Sequence, residues 1–379
     1  MPLRIGLIGA GANTASQHIP GFRRNEGVEV VGVANRSIAS SQRIADQFGI
    51  ARVFESPEAL CASPEIDAVC IGTWPYKHRE FTIMALEAGK HVYSEKPLVL
   101  SIAEGLELRA LCERTGKRVG CAPDTFLGGA HQQARALIDE GRIGTITAGS
   151  ACVMSHGMEH WHPNPDFFFL PGGGPMLDLG PYYVANLINL IGPVRRVGAL
   201  TSSATPTRTI SAAGPRQGEE VPVKTPTNIH ALLEFHNGAT VTLTTSWDVW
   251  AHRHGPMELY GTEGSLFVPD PNFFGGTLEL AGRDGAIAEV TPWDHPFGVI
   301  NQHHDGRGFA NYRTAGLADM ALAIIEGRDA RCSLDRTLHG MDVMTSILLS
   351  GETGAFVTLQ TSCTRPEPLG PDAARALLL

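Results

Sequence analysis

Residues 89–97 read GKHVYSEKP, a short apolar strand that runs out into Glu95, Lys96 and Pro97. A lysine beside a carboxylate, at the carboxyl end of a strand and fixed by a rigid proline, stands where open α/β sheets present groups to a ligand. An ammonium there can hold a reacting oxygen or help move its proton; Glu-Lys is also an ordinary surface pair. Residues 172–183 read GGGPMLDLGPYY. Three glycines let the backbone pass close to another group, and Asp178 and Tyr182, spaced i and i+4, are expected on one face of the helix that begins there. An acid and a phenol on one face suit a proton relay to a carbinol oxygen. They suit equally a helix cap with tyrosines filling a domain interface.

A third group is the run His156-Gly157-Met158-Glu159-His160-Trp161-His162. Imidazole and carboxylate are usual ligands for zinc or iron. No second partner follows at a characteristic spacing, and the other cluster, His303, His304 and Asp305, lies far along the chain in a glycine-rich loop, so no metal is expected. The run reads better as a polar, aromatic wall for a hydroxyl-rich substrate, with Trp161 stacking on a sugar face and His156, Glu159, His160 and His162 binding hydroxyls. A structural loop is the bland alternative.

These groups need elements to position them. The apolar run 3–8 ends in Gly9-Ala10-Gly11, and a helix over about 14–24 follows. Strand, glycine turn and helix in that order are the context a G-x-G-x-x-G reading demands. Gly9 permits the tight turn and Gly11 lets the backbone approach a pyrophosphate, with Ala12 and Asn13 in the same turn beside the free amides of the helix start. Thr14 stands in place of the third glycine, which is expected to loosen helix–strand packing and leave the phosphate cradle intact. A second apolar run, 28–34, ends at Asn35-Arg36-Ser37. An acid there would bind the ribose 2′-hydroxyl of NAD; an amide, a guanidinium and a hydroxyl favour the 2′-phosphate of NADP, with NAD as the alternative.

Helices are expected over about 39–48, 76–88 and 102–115, with strands near 53 and over 66–71 and 118–122. Strand carboxyl ends share one edge of a parallel sheet, so Thr73, Trp74, Pro75, His78, Glu95, Lys96 and Pro97 should border the same crevice as Gly9. This unit closes at about residue 123. From 124 the strands 145–154, 229–235 and 240–246 alternate, as half-exposed antiparallel strands do. Residues 206–226 read as a long surface loop, helices are expected over 315–326 and 334–350, and the tail from 365 is either loose or docked on a neighbour.

The amino-terminal GLIGAG, the EKP tripeptide and GGGPMLDLGPYY together resemble the Gfo/Idh/MocA family over nearly the whole chain. The resemblance implies an α/β fold: an N-terminal Rossmann domain, residues 1–123, binding NAD or NADP, and a C-terminal α/β domain, residues 124–379, whose open, mainly antiparallel sheet holds the substrate and often serves as the interface of dimers or tetramers. It implies that Lys96 is the catalytic lysine, Asp178 its substrate-orienting acid and Tyr182 the proton-transfer residue, where the commoner pattern has histidine. Asp124, at the junction, joins the candidate substrate contacts. A phenol titrates near ~10, and an ammonium beside it favours the phenolate, so Lys96 and Tyr182 make chemical sense as a pair.

The leading expectation is a dehydrogenase or reductase acting on a secondary alcohol or ketone of a sugar, polyol or glycoside. A hydrolase or lyase that keeps its nucleotide bound and oxidises a sugar carbon transiently is the second, and a non-catalytic dinucleotide sensor the third; a sensor has no need of Lys96, Asp178 and Tyr182 together. The 379 residues carry 30 basic and 39 acidic side chains, net charge −9, and no basic run, which argues against nucleic acid. No apolar run approaches the roughly 20 residues of a membrane helix, no charged-then-apolar leader opens the chain, and the seven scattered cysteines read as reduced thiols, so a cytoplasmic protein is expected.

Overall fold

The computed structural model describes residues 2–378 except 12, 13, 23–26 and 305, and at 16, 17, 22 and 304 the backbone alone. Strands β1 (Leu3–Ile8), β2 (Val28–Ala34), β3 (Arg52–Val53), β4 (Ala68–Ile71), β5 (His91–Ser94) and β6 (Val119–Cys121) form one parallel sheet in the order β3-β2-β1-β4-β5-β6. Their unbroken apolar runs fit a sheet covered on both faces, and β4 is buried at every residue. Helix limits follow local chemistry. Ser37 and Ser101 cap the starts of Ile38–Phe48 and Ile102–Thr115, and Gly49 and Gly116 end them in the left-handed conformation. Strand order reverses between β1 and β4, so a crevice opens at their carboxyl ends, where Gly9 and Gly72 lie.

Among the described residues a second sheet has nine strands, in the spatial order Ile287–Glu289, Glu279–Ala281, Ser265–Val268, Met257–Gly261, Ile146–Met154, Thr240–Ser246, Asn228–Phe235, Val194–Ser202 and Val357–Thr358. Its pairs are antiparallel but for Ile146–Met154 with Thr240–Ser246, which run parallel. The sheet is mainly antiparallel, as expected, and only the antiparallel reading of 145–154 and 240–246 is corrected, where these two strands pair with each other. Alternation reports that one face is open, not which way a neighbour runs, and helices stand between these two strands in the chain. Ile229, Ala231, Leu233 and Phe235 point into the core while His230 and Leu232 point out.

Helix Leu334–Thr353 packs on strand Val194–Ser202, on helix Gly180–Leu190 and on β6, so it joins the two halves. One apolar cluster accordingly runs from Ile71 and Leu108 through Leu187 to Val197 and Ile347. Two loop expectations change. Residues 206–226 contain a short hairpin, Thr207–Thr209 with Glu220–Pro222, and bury Ile210, Ala212 and Val221 against Phe169 and Trp247. The tail forms helix Pro371–Ala376 and buries Leu369, Ala374 and Leu377 on its own chain. In both, a few apolar residues anchor a stretch whose composition reads as loop. The seven cysteines are free thiols. Among the described residues, no helix is long and apolar enough to cross a membrane.

Candidate active site

The glycine turn is built for a close approach. Gly9 has φ +81°, and a Cβ there would fall 2.4 Å from Thr73 Cγ2, whereas a Cβ on Gly11 would meet no atom within 4 Å. The turn is held from the end of β2: Ala10 N donates to Asn35 Oδ1 at 2.7 Å, and Asn35 Nδ2 to Ala10 O at 3.3 Å. Asn35 therefore shapes the cradle, and the exposed Arg36 is left beside Ser37, whose hydroxyl caps the following helix. A bare backbone turn at the carboxyl end of a parallel strand fits a dinucleotide. Ala12 and Asn13 lie outside the described residues. The loosening expected from Thr14 is not seen. Thr14 Oγ1 sits 2.5 Å from where a Cβ on Gly72 would be, so the missing glycine is supplied from the opposite side of the contact, at the end of β4.

The loops after β4 and β5 are clamped together by His78. Its ring is buried, with Nε2 2.9 Å from Thr73 O and Nδ1 2.7 Å from Pro97 O. Expected at the crevice as a cofactor contact, His78 instead fixes the loops that carry Thr73 and Lys96. Trp74, half exposed, meets Phe167 of the second half edge to face at 5.1 Å, and Pro75 opens helix Pro75–Glu87.

Beyond β5, Glu95 Oε1 lies 2.7 Å from Nε2 of His18, which ends the helical segment Thr14–His18, and Glu95 Oε2 accepts the Lys96 N–H at 3.2 Å. Burial works against both charges, yet the hydrogen bonds of His18 to Cys70 and Glu95 push it up to about 10, while His18 and Lys96 hold Glu95 down at about 2. Lys96 Nζ donates to Asp178 Oδ1 at 2.8 Å and to Asp178 O at 2.5 Å, and stands 5.1 Å from the Tyr182 ring centroid. Burial opposes its charge too, but the charges of Asp178 and Tyr182 outweigh it and keep the ammonium charged above its ordinary range.

Asp178 and Tyr182 do not share one helix, as their spacing suggests. Helix Gly174–Asp178 stops and Gly180–Leu190 begins, with Leu179 between and Pro181 in the first turn. Proline brings no N–H to continue the ladder, and the Tyr182 N–H turns to Leu179 O. That break leaves the Asp178 carbonyl to accept from Lys96, so a lysine from the first half closes on a helix junction in the second.

The histidine segment divides. The His156 ring stacks on Trp250 at 4.0 Å and on His160 at 4.5 Å. His162 packs on Phe167 and Phe168 at 5.4 and 5.5 Å, and Trp161, 56% exposed, meets His162 at 5.3 Å. The aromatic contacts thus run on from Trp74 through Phe167 to Trp161. Glu159 stands apart. It is buried, paired with Arg208 at 3.2 Å, and its carbonyl accepts from Ser211 and Ala212, so it holds the 206–226 hairpin rather than facing a ligand. Asp124 likewise departs from expectation. It is buried, and its Oδ2 accepts the Thr314 and Gly316 N–H groups at 2.8 and 2.9 Å. Burial pushes this carboxyl up, against those bonds. Among the described residues no three His, Cys, Asp or Glu side chains converge as metal ligands do; Asp305 lies outside them.

Sequence reasoning passed over His18 and Arg313. His18 carried a readable signal, a lone imidazole on the helix after the glycine turn. Arg313, whose guanidinium carbon lies 5.7 Å from the Tyr182 ring centroid, reaches the site only by long-range packing.

Residues 3–122 match an oxidoreductase family described as having an NAD-binding Rossmann fold, and residues 131–267 match the GFO/IDH/MocA C-terminal domain. The chain is 30% identical over 269 residues to 1,5-anhydro-D-fructose reductase of Ensifer adhaerens, spanning 69% of this chain and 74% of that protein. It is 26% identical over 370 residues to D-xylose 1-dehydrogenase (NADP(+)) 2 of Haloferax volcanii, spanning 94% and 100%. Its fold is similar to levoglucosan dehydrogenase in complex with NADH, with TM-score 0.80, 22% identity and coverage of 95% and 100%. With its parallel sheet, glycine turn and second-half sheet in the same order, this chain belongs to the Gfo/Idh/MocA family of oxidoreductases.

Proposed function

We propose that the protein is a dehydrogenase or reductase acting on a secondary alcohol or ketone of a sugar, polyol or glycoside, with NADP(H) as the preferred nucleotide and NAD(H) as the alternative. One observation carries this reading: Lys96 from the first half meets Asp178 and Tyr182 from the second, with Nζ 2.8 Å from Asp178 Oδ1 and 5.1 Å from the Tyr182 ring. The Gly9–Gly11 turn with Ala12 and Asn13 would hold the pyrophosphate, Arg36 and Ser37 the 2′-phosphate, and Thr73 to Pro75 with Glu95 to Pro97 the inner part of the crevice. When bound, the nicotinamide accepts or donates the hydride. The chain's own residues handle the proton. Tyr182 takes it from the alcohol oxygen during oxidation and returns it during reduction; Lys96 holds that oxygen and keeps positive charge beside the phenol; Asp178 fixes the ammonium.

The exposed Trp161 and the rings of His156, His160 and His162 suit a hydroxyl-rich substrate, and relatives named for sugars support that class. The NADP preference rests on Arg36 and on the absence of an acid at Asn35; relatives named with NADP(+) and with NADH leave both nucleotides in the family. We also place the domain boundary near residue 123 and the protein in the cytoplasm, as a homodimer or homotetramer through the second sheet. Leu200 and Leu232 stand 75% and 53% exposed on that sheet's open face.

The test is nicotinamide absorbance with a panel of sugars, inositols and glycosides and both nucleotides. A net absorbance change with a panel member, faster with NADP than with NAD, is expected. Product formed with no net change would favour transient oxidation by a bound nucleotide, and no turnover of any panel member would refute the substrate class.

A further inference from the structure

Two tryptophans stand three residues apart in the loop that leaves strand Thr240–Ser246, and they are placed oppositely. Trp247 is fully buried, edge to face with Phe168 and Phe169 at 5.8 and 5.6 Å, whereas Trp250 is 84% exposed. A lone exposed apolar side chain is ordinary; this one is held in place. Its ring lies 4.0 Å from that of His156 at an interplanar angle of 14°, and the His156 ring lies 4.5 Å from that of His160 at 22°, so three rings run nearly parallel. Strands Ile146–Met154 and Thr240–Ser246 pair in parallel, so the loops that carry these rings leave the sheet at one edge. Backbone bonds tie the loops together, Ser155 N donating to Ser246 O and Val249 N to Ser155 O, each at 2.9 Å. Arg208 clamps them a second time: Nη1 donates to His156 O at 3.4 Å and Glu159 Oε1 at 3.2 Å, and Nη2 to Trp247 O at 3.2 Å and to Asp248 Oδ1. Thr227 Oγ1 donates to the other Asp248 oxygen at 2.8 Å.

We infer that Trp250, with His156 and His160, is the platform for a second sugar ring, so that the substrate is a glycoside or disaccharide of which one ring reacts and the other is only bound. The inference rests on the proposed reaction and on the 156–162 run being its substrate wall. The platform continues that wall, since His160 is followed directly by Trp161. It also shares a strand end with the reacting groups. Thr225 and Pro226, just before Thr227, pack on Gly174 so closely that a Cβ there would fall 3.0 Å from Thr225 Oγ1 and 3.1 Å from Pro226 O, and Gly174 opens the helix that ends in Asp178. A pyranose has an apolar C–H face and a rim of hydroxyls, which an indole face beside imidazole nitrogens matches. The clamp fixes the platform before anything binds, so little ordering cost remains for the ligand to meet. A second copy of the chain fits this surface less well. None of the exposed side chains of residues 155–164 and 247–254 is leucine, isoleucine or valine, whereas Leu200 and Leu232 stand exposed on the open sheet face.

The experiment uses the whole protein and needs no turnover. Calorimetry measures the binding of methyl α-D-glucoside, methyl β-D-glucoside, maltose and cellobiose with reduced nucleotide present, so that no alcohol is oxidised. At least one disaccharide should bind wild type about fivefold or more tightly than its methyl glycoside, the scale of one aromatic stacking contact, and Trp250→Ala should bring that ratio to within about twofold. Trp250→Phe keeps a flat apolar face and should restore most of the ratio. The side chain is 84% exposed, so both variants should fold. A wild type that prefers neither disaccharide, or a preference that survives Trp250→Ala, overturns the inference. So does a change of oligomeric state in Trp250→Ala, read by light scattering, with the ratio unmoved; the ring would then belong to a contact between copies. A ratio that collapses in a protein that oxidises none of these sugars upholds the platform while refuting the proposed reaction, and turnover of the methyl glycosides without any disaccharide preference does the reverse.

Discussion

Replacing Lys96 by methionine keeps a four-atom stem in the crevice and removes only the ammonium. That ammonium makes two hydrogen bonds, to Asp178 Oδ1 at 2.8 Å and to Asp178 O at 2.5 Å, and supplies the positive charge 5.1 Å from the Tyr182 ring. Loss of a charged partner from a buried acceptor costs about 1–3 kcal/mol. Here the low end applies, because the Asp178 side chain keeps 25% of its surface in water. Folding should therefore survive. Turnover should not: a positioned acid–base group is worth ~10²–10⁴-fold, about 3–5 kcal/mol of barrier, and Lys96→Met removes both the oxygen-holding donor and the charge that favours the phenolate. The glycine turn and Asn35 are untouched, so nucleotide affinity, read by fluorescence quenching, should stay within about threefold. Turnover within tenfold of wild type in a variant that still binds nucleotide would remove the lysine from the mechanism.

Arg36→Ala removes the guanidinium next to Ser37 in the chain. A charge-assisted hydrogen bond at an exposed site is worth about 1–2 kcal/mol, so NADPH should bind ~10-fold more weakly while NADH is unchanged; equal weakening of both would undo the 2′-phosphate argument. The His18–Glu95 pair sets a pH window. His18 is raised from 6.5 to about 10, so its contribution to stability is full below pH 6.5 and is lost as pH rises through about 10; Glu95 is lowered from 4.5 to about 2, so its contribution is present above pH 4.5 and is lost as pH falls through about 2. Melting temperatures of wild type and His18→Gln should therefore differ most between pH 4.5 and 6.5 and converge towards pH 10, and a difference that does not vary with pH would show that the pair is not charged.

Much of the fold was legible because parallel strands buried on two faces leave continuous apolar runs. β1, β2 and helix Ile102–Thr115 fall where periodicity and caps put them. Lys96, Asp178 and Tyr182 were legible because they sit at strand and helix ends marked by proline and glycine. What escaped was pairing over distance. The parallel contact between Ile146–Met154 and Thr240–Ser246 leaves no mark in either strand, since alternation encodes the exposed face alone. Glu159 and Asp124 look free in a one-dimensional reading, and only the folded chain brings Arg208 to the first and two backbone amides to the second. The break at Leu179 was written in Pro181 all along, and it matters because it frees the Asp178 carbonyl for Lys96.

The most direct measurement follows the hydrogen itself. A sugar or polyol substrate carrying deuterium at the carbinol carbon is oxidised, and the reduced nucleotide is examined by mass spectrometry. One deuterium per reduced nicotinamide, in wild type and in the slow residual turnover of Tyr182→Phe alike, is the predicted result. Deuterium found in solvent, or returned to the product sugar with no labelled nucleotide, would contradict a net hydride transfer.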